Sequence, residues 1–322
     1  GLSRLTIHLT LSPNKNLLIS HSLVDTNASW FDGYQVRTLP WKESRLPIYE
    51  GPNGQIWALK LEDSTGRFVG LQQYQYGNDV SKGVWIDYPI PELYALPPFD
   101  GVTVPDLPVL PRDRNRILIL VRDRLLEFDA ATQSIRVLKH AIDTNLKRFL
   151  HIKAARDSAV WITGEQGLAK ITLPAESPQG DVRWNEYCFP NELGVRDFLF
   201  PTESAQGEIF GSAYCDSTLR RVLVRFTGGG WNILYQANGE DIVAGWRCID
   251  GALWLLKGQA QAPPISPLLA HPYLDLSLLR IEDGLECPIK KKGELTGYIL
   301  DVAVEPEGSF WLAMRGVTRY AP

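Results

Sequence analysis

The sequence predicts an all-β fold, a β-propeller of seven blades built mostly of four-stranded antiparallel sheets. Three observations lead there: a strand–turn–strand pattern recurs along the whole chain, the composition is aromatic and turn-rich, and no long segment has helical period. The 322 residues include ten Trp, twelve Tyr and eleven Phe alongside 27 Gly and 22 Pro. Aromatic and β-branched runs cut by turn formers indicate many short strands. Nowhere does a 3.6-residue apolar period extend between two good caps.

The repeat is clearest in four places. Asn53-Gly54-Gln55-Ile56-Trp57-Ala58-Leu59 precedes Gly70-Leu71-Gln72-Gln73-Tyr74, and Val160-Trp161-Ile162-Thr163 precedes Gly167-Leu168-Ala169-Lys170-Ile171. Gly251-Ala252-Leu253-Trp254-Leu255-Leu256 precedes Leu278-Leu279-Arg280-Ile281 after a long insertion, and Gly308-Ser309-Phe310-Trp311-Leu312-Ala313 precedes Gly316-Val317-Thr318-Arg319-Tyr320. In each, a turn leads into an apolar strand with a central aromatic, and a second strand follows. Three less regular copies begin at Asn16, Arg116 and Gly207. A four-stranded blade takes roughly 40 to 45 residues, and the spacing of the seven copies fits that period with a few enlarged loops.

Innermost strands are expected ahead of each pair, as in Leu5–Leu9, Phe149–Ile152 and Ile299–Val304, and an outer strand in Val182–Tyr187. One blade alone exposes both apolar faces; ring closure covers each face with its neighbour. The repeated Trp is the expected wedge between sheets. The whole chain, 1-322, is read as a single propeller domain. Its first blade is complete within residues 2 to 40. Its last reaches only a third strand by Pro322, so the reading expects a ring excised from a longer chain continuing C-terminally.

Composition excludes several functions. The formal net charge is -4 and the only basic run is Lys290-Lys291-Lys292, read as a solvated turn. No basic stripe is available to displace counterions from nucleic acid. No apolar stretch approaches the ~20 residues needed to cross a bilayer, so any membrane attachment is assigned to segments outside this chain. Cys188, Cys215, Cys248 and Cys287 include no CxxC pair and are read as small buried side chains, their pairing left open. No HExxH, Gly-Xaa-Ser-Xaa-Gly or phosphate-cradling glycine loop occurs, and neither a catalytic residue, a metal site nor a cofactor is assigned.

The pattern Gly, one residue, apolar, Trp, then Gly-Leu-two residues-Tyr resembles the two-component regulator propeller repeat. That repeat builds extracytoplasmic sensor domains of bacterial hybrid histidine kinases, which implies a periplasmic or extracytoplasmic location. Where that repeat carries Asp three residues before the turn Gly and Gly-Thr after the Trp, this chain has Gly51 and Leu59-Lys60 in one copy. Another copy has Glu305 and Ala313-Met314. The fold transfers; the ligand does not. Streptogramin lyases share a related repeat, which keeps an enzyme in view.

Propellers bind at the face formed by loops entering the innermost strands and loops joining the second and third strands. Aligning the copies on the recurring aromatic puts Glu43, Lys147, Arg196 and Glu240 at equivalent entry positions. The second-to-third loops contribute Arg122, Asp123, Glu165, Asp216, Lys257 and Arg315, with Trp246, Tyr298 and Asp301 assigned to the same rim. Mixed charge with aromatics suits a polar small molecule or carbohydrate gripped by carboxylates and a stacking ring. His8 and His151 fall on innermost strands in similar places, as hydrogen-bonded strand residues near the axis or as channel-lining groups that act as an acid–base pair or share a metal. Proline-rich Tyr88–Arg114 and the segment Gln259–Leu276 are expected to resist strand pairing, the second serving as a lid or homodimer contact. The expected function is a non-enzymatic sensor module; a soluble lyase or hydrolase and a protein-interaction scaffold are the alternatives.

Overall fold

In the computed structural model, residues 6–21, 27–40, 46–62, 65–77, 79–96, 107–173, 182–248, 250–260, 273–282, 285–295, 301–305, 308–313 and 317–320 are described. They form seven antiparallel sheets arranged as the blades of a propeller. Blade one comprises β1 (Thr6–Leu11), β2 (Leu17–His21), β3 (Asn27–Phe31) and β4 (Val36–Pro40). Blade two is β5 (Ile48–Glu50), β6 (Ile56–Leu61), β7 (Phe68–Gln75) and β8 (Val84–Pro89). Blade three is β9 (Val109–Pro111), β10 (Arg116–Val121), β11 (Arg124–Asp129) and β12 (Ser134–His140). Blade four is β13 (Phe149–Ala154), β14 (Val160–Gly164), β15 (Gly167–Thr172) and β16 (Arg183–Cys188). Blade five is β17 (Val195–Glu203), β18 (Ile209–Cys215), β19 (Arg220–Thr227) and β20 (Gly230–Tyr235). Blade six is β21 (Asp241–Arg247), β22 (Leu253–Ala260), β23 (Tyr273–Glu282) and β24 (Leu285–Leu295). Blade seven has three described strands, β25 (Asp301–Val304), β26 (Phe310–Ala313) and β27 (Val317–Tyr320).

Each of the seven sequence copies supplies the two middle strands of one blade. These strands are apolar on both faces because a neighbouring blade covers each face. The period of two then splits a strand between two cores. In β10, Ile117, Ile119 and Val121 join the cluster shared with blade two, whereas Leu118 and Leu120 pack with Phe149 and Ile162 of blade four. Similar clusters fill the other joints, and the ring closes where Leu9, Leu17 and Ile19 meet Ala303 and Ala313. Phe31 lies edge-on to Trp311 there, at 5.6 Å between centroids.

The tryptophans are wedges with a polar handle. Trp57, Trp161 and Trp254 are buried in interblade cores. Four indole N–H groups donate across joints: Trp85 to Pro40 O, Trp161 to Glu203 Oε2, Trp231 to Tyr187 O and Trp246 to Gly308 O. Gly308 is required at its turn. Its φ is +93°, and a Cβ there would meet Cys248 Sγ at 2.3 Å.

Three expectations change. Lys290–Lys292 lie within β24, the outer strand of blade six, rather than in a turn. The proline-rich segment after Tyr88 supplies blade three's innermost strand: Pro111 pairs with Ile117. An innermost strand is a sheet edge, where a missing N–H costs no ladder bond. Among the cysteines, Cys215 and Cys248 are buried, but Cys188 is half-buried and Cys287 is exposed; all four are free thiols. Most of the expected lid lies outside the described residues, its first and last few belonging to β22 and β23.

Candidate functional site

One face of the ring is built by a repeated hand-over of backbone hydrogen bonds. The turn between β10 and β11 offers Arg122 O to Phe149 N at the start of β13, 2.9 Å away. The next turn, between β14 and β15, offers Glu165 O to Asp197 N at 2.8 Å, while Glu165 N donates to Arg148 O. Asp216 N, after β18, donates to Gly194 O. Second-to-third turns of one blade are thereby stitched to the innermost-strand entry of the same or the next blade, from blade three to blade five.

Charged side chains on this arc form a continuous chain. Glu165 receives Lys147 Nζ at 3.4 Å and Arg148 Nε at 3.2 Å. Arg148 Nη2 reaches Asp197 Oδ1 at 2.7 Å, and Arg196 Nη1 reaches Asp197 Oδ2 at 2.8 Å. Arg196 Nε then donates to Asp216 Oδ1 at 2.9 Å, with its guanidinium 4.4 Å over the Tyr214 ring. Burial works against the charge of Arg196. The Asp216 hydrogen bond and the Asp197 charge outweigh it and hold its pKa above the usual arginine value.

The backbone below is unusual. Lys147 (φ 66°), Asp197 (φ 56°) and Phe200 (φ 53°) are left-handed without being glycine. Register slips in β17 between Arg196 and Leu199 and between Leu199 and Thr202, so the innermost strand of blade five is bulged twice. Such conformations cost about 1–3 kcal/mol each and persist where surrounding contacts over-determine them. Here the fixing contacts are the two arginines and the Glu165 carbonyl.

Blade six carries a second cluster. Lys257 Nζ lies 3.2 Å from Glu240 and 3.8 Å from Glu286, whose Oε1 accepts the Tyr235 hydroxyl. Burial, then the Glu286 contact, push the Tyr235 pKa up.

Of the residues assigned from sequence, Lys147, Glu165 and Arg196 come together, as do Glu240 and Lys257. Arg122 contributes its carbonyl to the first arc, and Asp123 pairs with Arg124 at 3.0 Å. Glu43, Tyr298 and Arg315 lie outside the described residues. Trp246 is a correction. It is 1% exposed at the far end of β21, wedged between blades six and seven, and offers a ligand no surface. The sequence reading missed Arg148, Asp197, Tyr235 and Glu286. A fixed offset selects one residue per loop, and Arg148 and Asp197 sit immediately beside the two it selected.

The His151 ring lies tilted against Phe200 at 5.2 Å between centroids, and its backbone N–H donates to Thr163 Oγ1. The His8 backbone pairs with Ser20. Among the described residues, no group of three His, Cys, Asp or Glu is placed to hold a metal ion. No helix among them is long and apolar enough to cross a membrane.

No protein-family model and no curated protein sequence matches this chain. Solved structures do. Virginiamycin B lyase from Staphylococcus aureus is similar at 13% identity and a TM-score of 0.61, covering 99% of this chain and 95% of the lyase. A streptogramin B lyase is similar at 14% identity and a TM-score of 0.58, over 98% and 93% of the two chains. The extracellular domain of a B. thetaiotaomicron protein named as a hybrid two-component system is similar at 11% identity and a TM-score of 0.54. That match covers 98% of this chain and 38% of the other. At these identities the likeness shows the propeller fold alone.

Proposed function

We propose that this chain is the ligand-binding propeller of an extracytoplasmic sensor, taking a polar small molecule on the rim above blades four and five. The observation that carries the binding site is the linked set Lys147–Glu165–Arg148–Asp197–Arg196–Asp216, set on left-handed backbone. Strained main chain and a charge network at one face of a rigid ring are how proteins pre-organise a recognition surface. The sensor role draws on the repeat's resemblance to two-component regulator propellers and on the fold shared with the hybrid two-component extracellular domain.

The test is a thermal-shift screen of polar metabolites against the wild type and Arg196→Ala. The expected result is stabilisation by at least one compound class, lost in the variant. Ligands whose effect survives Arg196→Ala would displace the site from this rim. Consumption of a stabilising compound during the assay would replace the sensor reading with the lyase one.

A further inference from the structure

Resting on that reading, we infer that the ligand carries an anionic group, a carboxylate, phosphate or sulfate, held by the paired guanidiniums of Arg148 and Arg196. A neutral sugar gripped by rim carboxylates is the chemistry the composition first suggests, but every carboxylate oxygen of this arc except Asp216 Oδ2 already faces a cation. Glu165 accepts from Lys147 and is ion-paired with Arg148, each Asp197 oxygen takes a different arginine, and Asp216 takes Arg196 Nε. What remains unused is donor capacity. A guanidinium has five N–H groups in a fixed fork. Arg148 Nη1 and Arg196 Nη2 have no partner among the described residues.

The layering has the same sense. Asp197 is 0% exposed and Glu165 24%, whereas Arg148, Arg196 and Lys147 are 33%, 39% and 60% exposed. Asp197 and Glu165 lie beneath and the three cations face outward, while Asp216, 60% exposed, sits beside Arg196 at the surface. Two guanidiniums this close would repel each other in the absence of a counter-charge; Asp197, between them, holds both. The Tyr214 ring beneath Arg196 fixes the plane of its fork. Arginines normally lose side-chain freedom on binding, and here much of it is already gone. The product is a pre-set double fork suited to an oxyanion, with Asp197 as its positioning residue. Because the arc's three acids balance its three cations, recognition is by directed hydrogen bonds more than by long-range attraction.

The experiment measures binding of glucose, gluconate, glucose 6-phosphate and inorganic phosphate by calorimetry at fixed ionic strength. The expected result is millimolar or tighter binding of the three anions and at least a tenfold preference over glucose. Arg148→Ala and Arg196→Ala each lose that preference. Arg196→Lys, which keeps the charge, loses most of it because the fork is gone. Asp197→Asn binds the anions more weakly. Its affinity also becomes a steeper function of salt, since the guanidiniums are no longer neutralised, a change that a merely structural residue would not produce. Gluconate against glucose 6-phosphate separates carboxylate from phosphate. Glucose binding as well as the anions, with the same sensitivity to Arg196, overturns the anionic ligand and leaves the rim site standing. Anion binding indifferent to both arginines overturns the site itself. Absence of any anion signal at millimolar concentration overturns the inference.

Discussion

Two buried carboxylates in this ring each sit between two arginines, and they do different work. Glu127 in β11 is 4% exposed and takes Arg112 at 3.0 Å and Arg136 at 2.8 Å. Asp197 in β17 is fully buried and takes Arg148 at 2.7 Å and Arg196 at 2.8 Å. Glu127 reaches its place through ordinary strand geometry: its direct cross-strand neighbour in β12 is Arg136. Asp197 reaches its place through a bulge and a left-handed backbone. Of the arginines around Glu127, Arg136 is 35% exposed but Arg112 only 13%, and burial draws the Arg112 pKa down while Glu127 partly offsets this. Those around Asp197 open to water. Glu127 knits a blade together; Asp197 aims donors outward.

Removing each charge without changing shape should separate the two roles. Glu127→Gln strands a buried Arg112 and is expected to cost about 3 kcal/mol in urea unfolding, toward the lower end for breaking a buried pair. Asp197→Asn keeps a residue that tolerates left-handed backbone and leaves arginines that water can solvate, so about 1 kcal/mol is expected. Anion binding should reverse the order, unchanged by the first substitution and weakened by the second. Equal stability losses would mean that the doubly bulged strand, not the charge, is what Asp197 secures.

The same contrast accounts for what the sequence could reveal. Apolar strands with a central aromatic, such as Val160–Thr163 and Leu253–Leu256, announce themselves, because burial on both faces demands them. The cross-strand partner of Glu127 is equally legible once β11 and β12 are paired. Lys147, Glu165 and Arg196 follow from counting back or forward from the aromatic. Asp197 does not, because a period of two carries no mark for a bulge, and only the folded ring places Arg148 and Arg196 on either side of it. Val109–Pro111 was obscured by its prolines, which a sheet edge tolerates. Trp246 was misplaced because a rim tryptophan and a wedge tryptophan are the same residue type; the Gly308 carbonyl 3.1 Å from its Nε1 distinguishes them only in three dimensions.

A third carboxylate sharpens the comparison. Glu203, at the end of β17 farthest from Asp197, accepts from two neutral donors, Trp161 Nε1 and Arg156 N, both at 3.0 Å and both on blade four. It latches blade five to blade four as Trp246 latches six to seven. Trp161→Phe keeps the apolar wedge and deletes one bond to a charged acceptor, so about 1.5 kcal/mol is expected by denaturant titration. A loss as large as that of Glu127→Gln would place most of the joint's stability in this one hydrogen bond.

Lys153, on β13, is the converse case, a cation among the innermost strands whose ammonium donates, among the described residues, to a neutral acceptor, Pro201 O at 3.0 Å. Burial lowers its pKa from 10.5 to about 8, with the charge of Glu203 opposing the shift. Below pH 8 the ammonium is charged in both folded and unfolded chains, and the folded state bears the cost of its partial desolvation. Between pH 8 and 10.5 the unfolded chain binds more protons than the folded one, so stability contributed by this site rises with pH. Lys153→Met therefore stabilises the ring at neutral pH. The side chain keeps access to solvent, and screening holds the gain to about 1 kcal/mol. The difference in melting temperature between variant and wild type should shrink steadily above pH 8. If it stays constant up to pH 10.5, the amine is titrating as it does in water and the inner wall is wetter than its strands imply.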